Sequence, residues 1–474
     1  MSPPVPALHE SASRAAETLA GASSVRLVSH DDADGLTSAA IASTALDWAG
    51  VPVETEIKHG LDEEAIDELA DGPAETVLFT DLGSGALDRL AHHEAAGRFE
   101  PIVVDHHQPV EGTIEHHLNP RTVGIDGGRE LAGAGTAYVL ASALAEVVEP
   151  DVDSRELATL AVVGAVGDRQ LVDGELIGAN AQIAGEGEEA GVIEVGTDLA
   201  VYGTQTRPLP KLLEYASDVR IPGITGSRRG AVQFLQDLPV SIRDGDRWPT
   251  WAELDGGKRT AIASALIQTA IERGVPADRI ETLVGTRYVL AREEPGTHLR
   301  DASEFATVLN ATARYEESAV GLAVCRGDRG SAYTDARELL QEHRRNLAAG
   351  IEWVQEAGVT REDQVQWFHA GTEIRATIVG IVAGMAIGAD GIDGHRPIVG
   401  FATKDDGDGV KVSARAPGKF RSRDLDLGAA MRESATAVGG EGGGHAMAAG
   451  ATIPAGAETT FVETVDELIG AQLA

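Results

Sequence analysis

Before residue 170 an apolar run stops at aspartate four times, and that repeated stop constrains the fold more than any other feature of this sequence. Residues 25–29 (VRLVS) lead into His30-Asp31-Asp32-Ala33-Asp34-Gly35. Residues 76–80 (TVLFT) lead into Asp81, and residues 102–104 (IVV) into Asp105-His106-His107. The longer stretch 157–167 ends at Asp168 in the same manner. The first three runs read as strands, with another at 51–57, and they alternate with helical patterns at 36–48, 62–70 and 86–95. That alternation is the signature of a parallel sheet with crossover helices. Ligands of such sheets bind beyond the carboxyl ends of the strands, so the spacing delivers a set of carboxylates and imidazoles to one edge.

Several aspartates converging on one edge repel one another, at several kcal/mol for charges ~4 Å apart in protein-like dielectric. A pair of divalent cations removes that repulsion. Asp and His donors without Cys suit Mn²⁺ or Mg²⁺, and a carboxylate such as Asp81 can bridge two ions. A site of this kind turns water into a nucleophile at neutral pH and clamps a phosphoryl centre, so phosphate-ester hydrolysis is the expected reaction. Taken singly, each piece has a plainer reading: an Asp after a strand is an ordinary helix N-cap. His92-His93 on an amphipathic helix reads as solvated surface, and His116-His117 as structural. The conjunction of four motifs in order is what the plainer readings fail to explain.

The charge balance points elsewhere at first. The 474 residues carry 39 Lys+Arg against 75 Asp+Glu, a net −36, which opposes a partner as negative as nucleic acid. Only six of the basic residues are Lys, and Asp and Glu take the surface in their place. We read this as adaptation to near-molar salt, as in a halophilic archaeon, rather than as information about ligands. Against that background residues 411–432 stand out. Lys411, Arg415, Lys419, Arg421, Arg423 and Arg432 face only Asp424 and Asp426, a local +4 that fits a phosphate backbone. Gly442-Gly443-Gly444 before His445 allows backbone N–H groups to converge on an anion.

The single Cys325 excludes an internal disulfide framework and a Cys-based zinc site. Residues 1–24 show no basic-then-apolar signal, and the longest nearly apolar run, 376–389, is too short to span a membrane. The expectation is a soluble cytoplasmic protein. Residues 184–196, rich in Gly and Glu, mark an expected boundary; 197–300 read as a mixed insert, 334–349 as a connecting helix, and 366 onward as a final α/β unit.

Taken together, the His30–Gly35 motif, Asp81, Asp105-His106-His107 and Gly167-Asp168 resemble the four motifs of the DHH phosphoesterase superfamily. Ser413-Ala414-Arg415 and Gly442-Gly443-Gly444-His445 resemble its DHH-associated domain. Residues 203–209 (GTQTRPL), 221–226 (IPGITG), 302–314 (ASEFATVLNATAR) and 321–328 (GLAVCRGD) are similar to archaeal RecJ-like exonucleases, including the GINS-associated nuclease. The resemblance implies an α/β fold: a parallel-sheet DHH catalytic domain at 22–195, a middle insert at 196–300, and a connecting helix with a substrate-binding DHH-associated domain at 301–474. The active site would lie in the interdomain cleft.

Carried over residue by residue, the resemblance implies that His30, Asp32 and Asp81 hold one metal, and Asp34, Asp81, His106 and Asp168 the other, with Mn²⁺ expected and Mg²⁺ an alternative. His107 would sit by the scissile phosphate and Asp105 would orient the histidine pair. Asp31 stands where the motif fixes nothing and receives no role. Ser413, Arg415, Gly442, Gly443, Gly444 and His445 would grip a substrate phosphate. The implied activity is two-metal exonucleolytic degradation of single-stranded nucleic acid, DNA before RNA, in replication or repair. The alternatives are a DHH oligoribonuclease, a cyclic-dinucleotide phosphodiesterase, and a replication-fork subunit that binds the GINS complex.

Overall fold

The computed structural model describes residues 5–148, 153–216, 219–404, 407, 409–422 and 425–473. The chain divides into two compact units, Met1–Arg337 and Glu338–Ala474.

The first unit is built on five parallel strands, β1 (Val25–His30), β2 (Val53–Lys58), β3 (Thr76–Thr80), β4 (Glu100–Val104) and β5 (His116–Leu118), in the order β2-β1-β3-β4-β5. Because β1 is followed on one side by β2 and on the other by β3, the connections leave β1 and β3 in opposite directions and open a crevice between their carboxyl ends. Helices cover both faces: α1 (His9–Gly21), α2 (Ala33–Trp48), α3 (Glu63–Ala70), α4 (Leu87–Ala95), α5 (Gly133–Val148) and α6 (Ala158–Gly167). Strand alternation sorts the core. Val28, Val77, Phe79 and Val103 pack with Ile66 and Leu69 of α3 and Leu87 and Leu90 of α4. Leu27, Leu78 and Ile102, register partners across β1, β3 and β4, take the opposite face. There α2, α5 and α6 are buried almost throughout, and their Ala- and Gly-rich sequences let the helices approach closely. Residues 157–167 are therefore largely helix, and Asp168 is the C-cap of α6 rather than the end of a strand. The first twenty residues, outside the resemblance, contribute α1, whose Ala12, Ala15, Ala16 and Leu19 are buried on one face.

Residues 184–196, expected as a boundary, lie mostly in helix α7 (Gly178–Glu189) and strand β6 (Ile193–Leu199). Strand β6 pairs antiparallel with β7 (Val284–Leu290), so the two strands bracket the insert. Between them α8 (Leu209–Glu214), α9 (Arg228–Gln236), α10 (Gly256–Glu272) and α11 (Ala277–Glu281) enclose a separate core around Trp251, Leu209, Leu212, Ile262 and Leu266. Helices α12 (Ala302–Arg314) and α13 (Ser318–Cys325) return to pack on α2, and α14 (Ser331–Ala357) crosses the division between the units. Among the described residues no helix is long and apolar enough to cross a membrane.

The second unit is a six-stranded sheet: β8 (Thr360–Arg361), β9 (Gln366–His369), β10 (Ile398–Thr403), β11 (Val410–Arg415), β12 (Glu441–His445) and β13 (Ala448–Ile453), ordered β12-β13-β11-β10-β9-β8. Only β9 and β10 run parallel. One face packs Phe368, Ile398 and Ala402 against α15 (Val379–Ala386). The other packs Val399, Phe401, Val412, Ala414 and Ala451 with Met431 of α16 (Leu427–Ala437) and Phe461 of α17 (Glu458–Leu473).

Candidate metal centre and phosphate-binding strand

The crevice between β1 and β3 receives the motif residues. Asp32 caps α2, its Oδ1 accepting from Gly35 N at 2.9 Å, which turns the chain so that Asp34 enters the first helical turn. Asp34 is 99% buried, and its two oxygens accept from Gly133 N (2.8 Å) and Ala134 N (2.9 Å) at the start of α5. Asp81 follows β3 in a left-handed conformation (φ 57°), uncommon for a residue with a Cβ, and its amide donates to Val104 O at 3.0 Å. Gly133 and Gly164 leave the room these carboxylates need: a Cβ would stand 2.5 Å from Asp81 Oδ1 at the first and 2.4 Å from Asp34 Oδ1 at the second.

Two interleaved groups result. His30, Asp32 and Asp81 bring ligand atoms within 4.8 Å of one another, and so do Asp34, His106 and Asp168. The groups meet at Asp81, whose Oδ2 is 3.7 Å from His30 Nδ1 and whose Oδ1 is 3.1 Å from His106 Nε2. His106 Nδ1 donates to Gly127 O at 2.5 Å, which turns Nε2 toward Asp81, Asp34 (3.6 Å) and Asp168 (3.9 Å). His107 is instead turned to Asp105: its Nδ1 lies 2.8 Å from Asp105 Oδ1, and half of its side chain is exposed.

The electrostatics show what this cluster lacks. Burial, with Asp168 and Asp32 nearby, raises the Asp34 carboxyl to about 6. Burial and the charges of Asp34 and Asp32 push Asp81 well above the carboxylate range. Burial pulls His30 down, but Asp32, Asp81 and Asp31 outweigh it and hold the imidazole at about 9. Burial likewise opposes protonation of His106, and Asp34 and Asp168 overcome it. Asp32 is held below the usual range, burial being outweighed by His30 and the Gly35 amide. His30 Nδ1 and Asp81 Oδ1 are buried and have no hydrogen-bond partner. Orphaned inward donors on a cluster that prefers extra positive charge fit divalent cations with oxygen and imidazole ligands.

Neighbours that no motif announced hold these groups in place. Asp105 accepts from Ser84 N (2.9 Å), and from the amides of His106 (2.8 Å) and His107 (3.2 Å). Burial raises its carboxyl, but the His107 ring, the charge of His106 and the Ser84 amide outweigh it and hold the group below the usual range. Ser84 Oγ accepts from Asn119 Nδ2 (2.9 Å) and lies 3.1 Å from His117 Nε2, while Asn119 Nδ2 also reaches His107 O (2.9 Å). His117, read as structural, supports the Asp105 loop through Ser84. Gln170 Nε2 donates to Gly127 O and to Asp168 Oδ2, both at 2.8 Å, and Asn180 steadies it from behind. From α12, Asn310 Oδ1 accepts from Ala33 N at 3.1 Å, and the charge of Arg314 acts on Asp32. Of this set, only the 302–314 stretch, which holds Asn310 and Arg314, was singled out in the sequence. Of the other histidines, His92 is exposed as expected. His93 is not surface but 91% buried, stacked on Phe99 with its Nε2 3.2 Å from Asp67.

In the second unit the glycine run is not a turn. Gly442, Gly443 and Gly444 form the edge strand β12, paired with Ala451, Gly450 and Ala449 of β13. A Cβ at Gly442 would stand 2.6 Å from Met431 O of α16, so close packing is the physical reason for glycine there. The ladder aligns Ser413 with Gly450 and Gly443, and Arg415 with Ala448 and His445. Directly paired residues share a face, so Ser413, Arg415, Gly443 and His445 share the face opposite α16. Ser413 is buried, Arg415 half-buried and His445 exposed, and the Arg415 guanidinium donates to Ala414 O at 2.9 Å. Of the basic window, Arg423 and Asp424 and the side chain of Arg421 lie outside the described residues.

Comparison with known proteins agrees with this construction. Residues 24–165 match the DHH family N-terminal domain, 201–284 the DHH-CID domain and 364–471 the DHHA1 domain. An uncharacterised protein of Methanocaldococcus jannaschii is 28% identical over 459 residues, covering 95% of this chain and 94% of that protein. Among solved structures, RecJ of Thermus thermophilus in complex with Mn²⁺ aligns with 99% of this chain (TM-score 0.61, 19% identity). This chain spans only 56% of that RecJ. Cdc45 of Entamoeba histolytica aligns over 98% of this chain and 99% of its own length (TM-score 0.67, 11% identity). At these identities the likeness is one of fold.

Proposed function

For a RecJ-like protein of the DHH superfamily, carrying the DHH, DHH-CID and DHHA1 domains in that order, we propose exonucleolytic hydrolysis of single-stranded nucleic acid, DNA before RNA, in replication or repair. The observation that carries the reading is the meeting of the His30/Asp32/Asp81 and Asp34/His106/Asp168 groups at one buried aspartate with an unpartnered oxygen. A single catalytic carboxylate would need no such second group.

Two bound Mn²⁺ or Mg²⁺ ions would supply a hydroxide at neutral pH and offset charge at phosphorus. His30, Asp32 and Asp81 would hold one ion, and Asp34, Asp81, His106 and Asp168 the other. Asp105 fixes the His107 ring through Nδ1 and, against the effect of burial, holds it protonated up to about 9, so Nε2 keeps a proton to offer a phosphate oxygen near neutral pH. Ser413, Arg415, Gly443 and His445, on one face of the second sheet, would bind a phosphate of the same strand. Backbone amides of Gly442 and Gly444 contribute less than a nest would, because the run is paired as a strand.

The test uses 5′- and 3′-labelled single- and double-stranded DNA and RNA at high KCl with Mn²⁺ or Mg²⁺. A ladder on single strands that disappears in Asp34→Asn and His106→Ala is the expected result; metal-dependent cleavage retained by both variants overturns the reading. The end-to-end likeness of fold to Cdc45 supports a second reading, a subunit of a replication complex. Capture of GINS from extract by a chain that cleaves no nucleic acid would favour it.

A further inference from the structure

Asp31 sits between two histidines in a place where no motif requires it. Its Oδ1 lies 3.0 Å from His59 Nδ1 and 3.6 Å from His30 Nε2. The parallel register of β1 and β2 makes this arrangement: His30 pairs with Lys58, and the next residue, His59, brings its ring beside that of His30, centroids 6.2 Å apart and 27° from parallel. The two nitrogens of His30 therefore face different surroundings. Nδ1 points inward, 3.2 Å from Asp32 Oδ2, buried and without a hydrogen-bond partner, whereas Nε2 points toward Asp31.

We infer that Asp31 and His59 are positioning residues that set the ring orientation and tautomer of His30 for metal binding, an inference that rests on the metal reading above. A neutral imidazole carries one N–H. If the inward Nδ1 is to offer a lone pair to a cation, the proton must sit on Nε2, and the carboxylate facing it is Asp31. Such outer carboxylates fix the ring of a metal-bound histidine and raise its basicity. Asp31 is itself a side chain with freedom to turn away, being a quarter exposed, and His59 Nδ1 holds the same oxygen from the solvent side. His59, with 72% of its side chain exposed, is the outer end of the chain His59–Asp31–His30. Both residues act through His30 and neither is assigned to substrate.

The full-length protein is titrated with Mn²⁺ alone by calorimetry at fixed KCl, and its thermal midpoint is measured in EDTA. Asp31→Asn is expected to weaken one binding step by about 10-fold or more, the usual effect of removing an outer carboxylate, while the midpoint in EDTA stays that of the wild type. His59→Gln shifts the same step in the same direction by less. Asp32→Ala serves as the reference that removes this step. If Asp31→Asn and His59→Gln bind Mn²⁺ like the wild type while Asp32→Ala loses a step, the inference is wrong and the metal reading stands. A lowered midpoint in EDTA with unchanged Mn²⁺ affinity also overturns it, since the pair would then serve the fold alone. If Asp32→Ala binds Mn²⁺ like the wild type, the metal reading fails and this inference with it.

Discussion

The two sheets present their candidate functional residues in opposite ways. In the parallel sheet of the first unit most of them lie beyond strand ends or in the first turn of a helix, where chain direction alone gathers them at one edge. In the mixed sheet of the second unit Ser413, Arg415, Gly443 and His445 lie within strands, and only the hydrogen-bond register decides which of them are neighbours. The first arrangement buries charge and calls for cations; the second leaves His445 exposed and Arg415 half-buried against Gly380 of α15. The lesson is that a site built from strand ends follows from chain direction, whereas a site built within strands depends on register and is lost when one strand slips by a residue.

Breaking the first arrangement should have the largest effect. Asp81→Ala removes the carboxylate common to both groups, and loss of several kcal/mol of charge stabilisation corresponds to a fall in cleavage rate of about 10³-fold or more. Single-turnover cleavage of a labelled oligonucleotide checks this, with circular dichroism to show that the fold is kept. Next, Gly442→Val collides with Met431 O and should destabilise the second unit by about 1–3 kcal/mol in a denaturant melt. Gly443→Ala, whose added carbon meets nothing nearer than the Arg432 guanidinium at 3.8 Å, should leave stability unchanged. Equal damage from both would mean that contact with Met431 O is not what requires glycine at 442.

Arg415→Ala should weaken oligonucleotide binding by about 10-fold and lower the salt slope by ~0.7, as for one lost contact to a single strand, without altering Mn²⁺ binding. An effect on stability alone, without one on cleavage, comes from Glu304, a carboxyl buried in the first unit. It accepts from Gln205 N (2.8 Å) and Thr206 Oγ1 (2.6 Å), yet burial raises it to about 7. The folded state then holds a proton that the unfolded chain releases near 4.5, so this residue's contribution to stability is complete below pH 4.5 and declines as pH rises toward 7. Glu304→Gln should flatten that decline, gaining about 2 kcal/mol at pH 8 relative to pH 5 in paired melts. A wild-type profile without the decline would show that a carboxylate can be buried in this unit at no cost, which would weaken the electrostatic case for cations at Asp34 and Asp81.

The −36 charge, read as hostile to nucleic acid, turns out to be distributed: part of it is packed around the crevice of the first unit and the rest is surface. How much of this was legible varied with the kind of information. Strands β1 to β4 and the helices between them could be read from periodicity, because local propensity and burial agree there. The identity of the edge that collects His30, Asp32, Asp34, Asp81, His106 and Asp168 followed from strand direction. Asp168 was grouped with the strand-end aspartates but caps helix α6, since a run of Ala, Val and Gly buried on all sides carries no period that separates helix from strand. The support around Asp105 could not be read: Ser84, His117 and Asn119 are ordinary polar residues until folding places them within hydrogen-bond distance.

By itself the sequence determined which chemical groups are present and, through alternation of strand and helix, that most of the metal-binding candidates arrive at one end of one sheet. Tertiary structure decided the rest: the left-handed turn at Asp81, the nitrogen that His30 and His106 each turn inward, the pairing that makes a strand of three glycines, and the contact of Asp31 with His59. The physical reason is range. Propensity and periodicity act over a few residues along the chain, whereas hydrogen-bond register, tautomer and burial are set by residues far apart in it, a hundred positions in the case of Asp34 and Ala134.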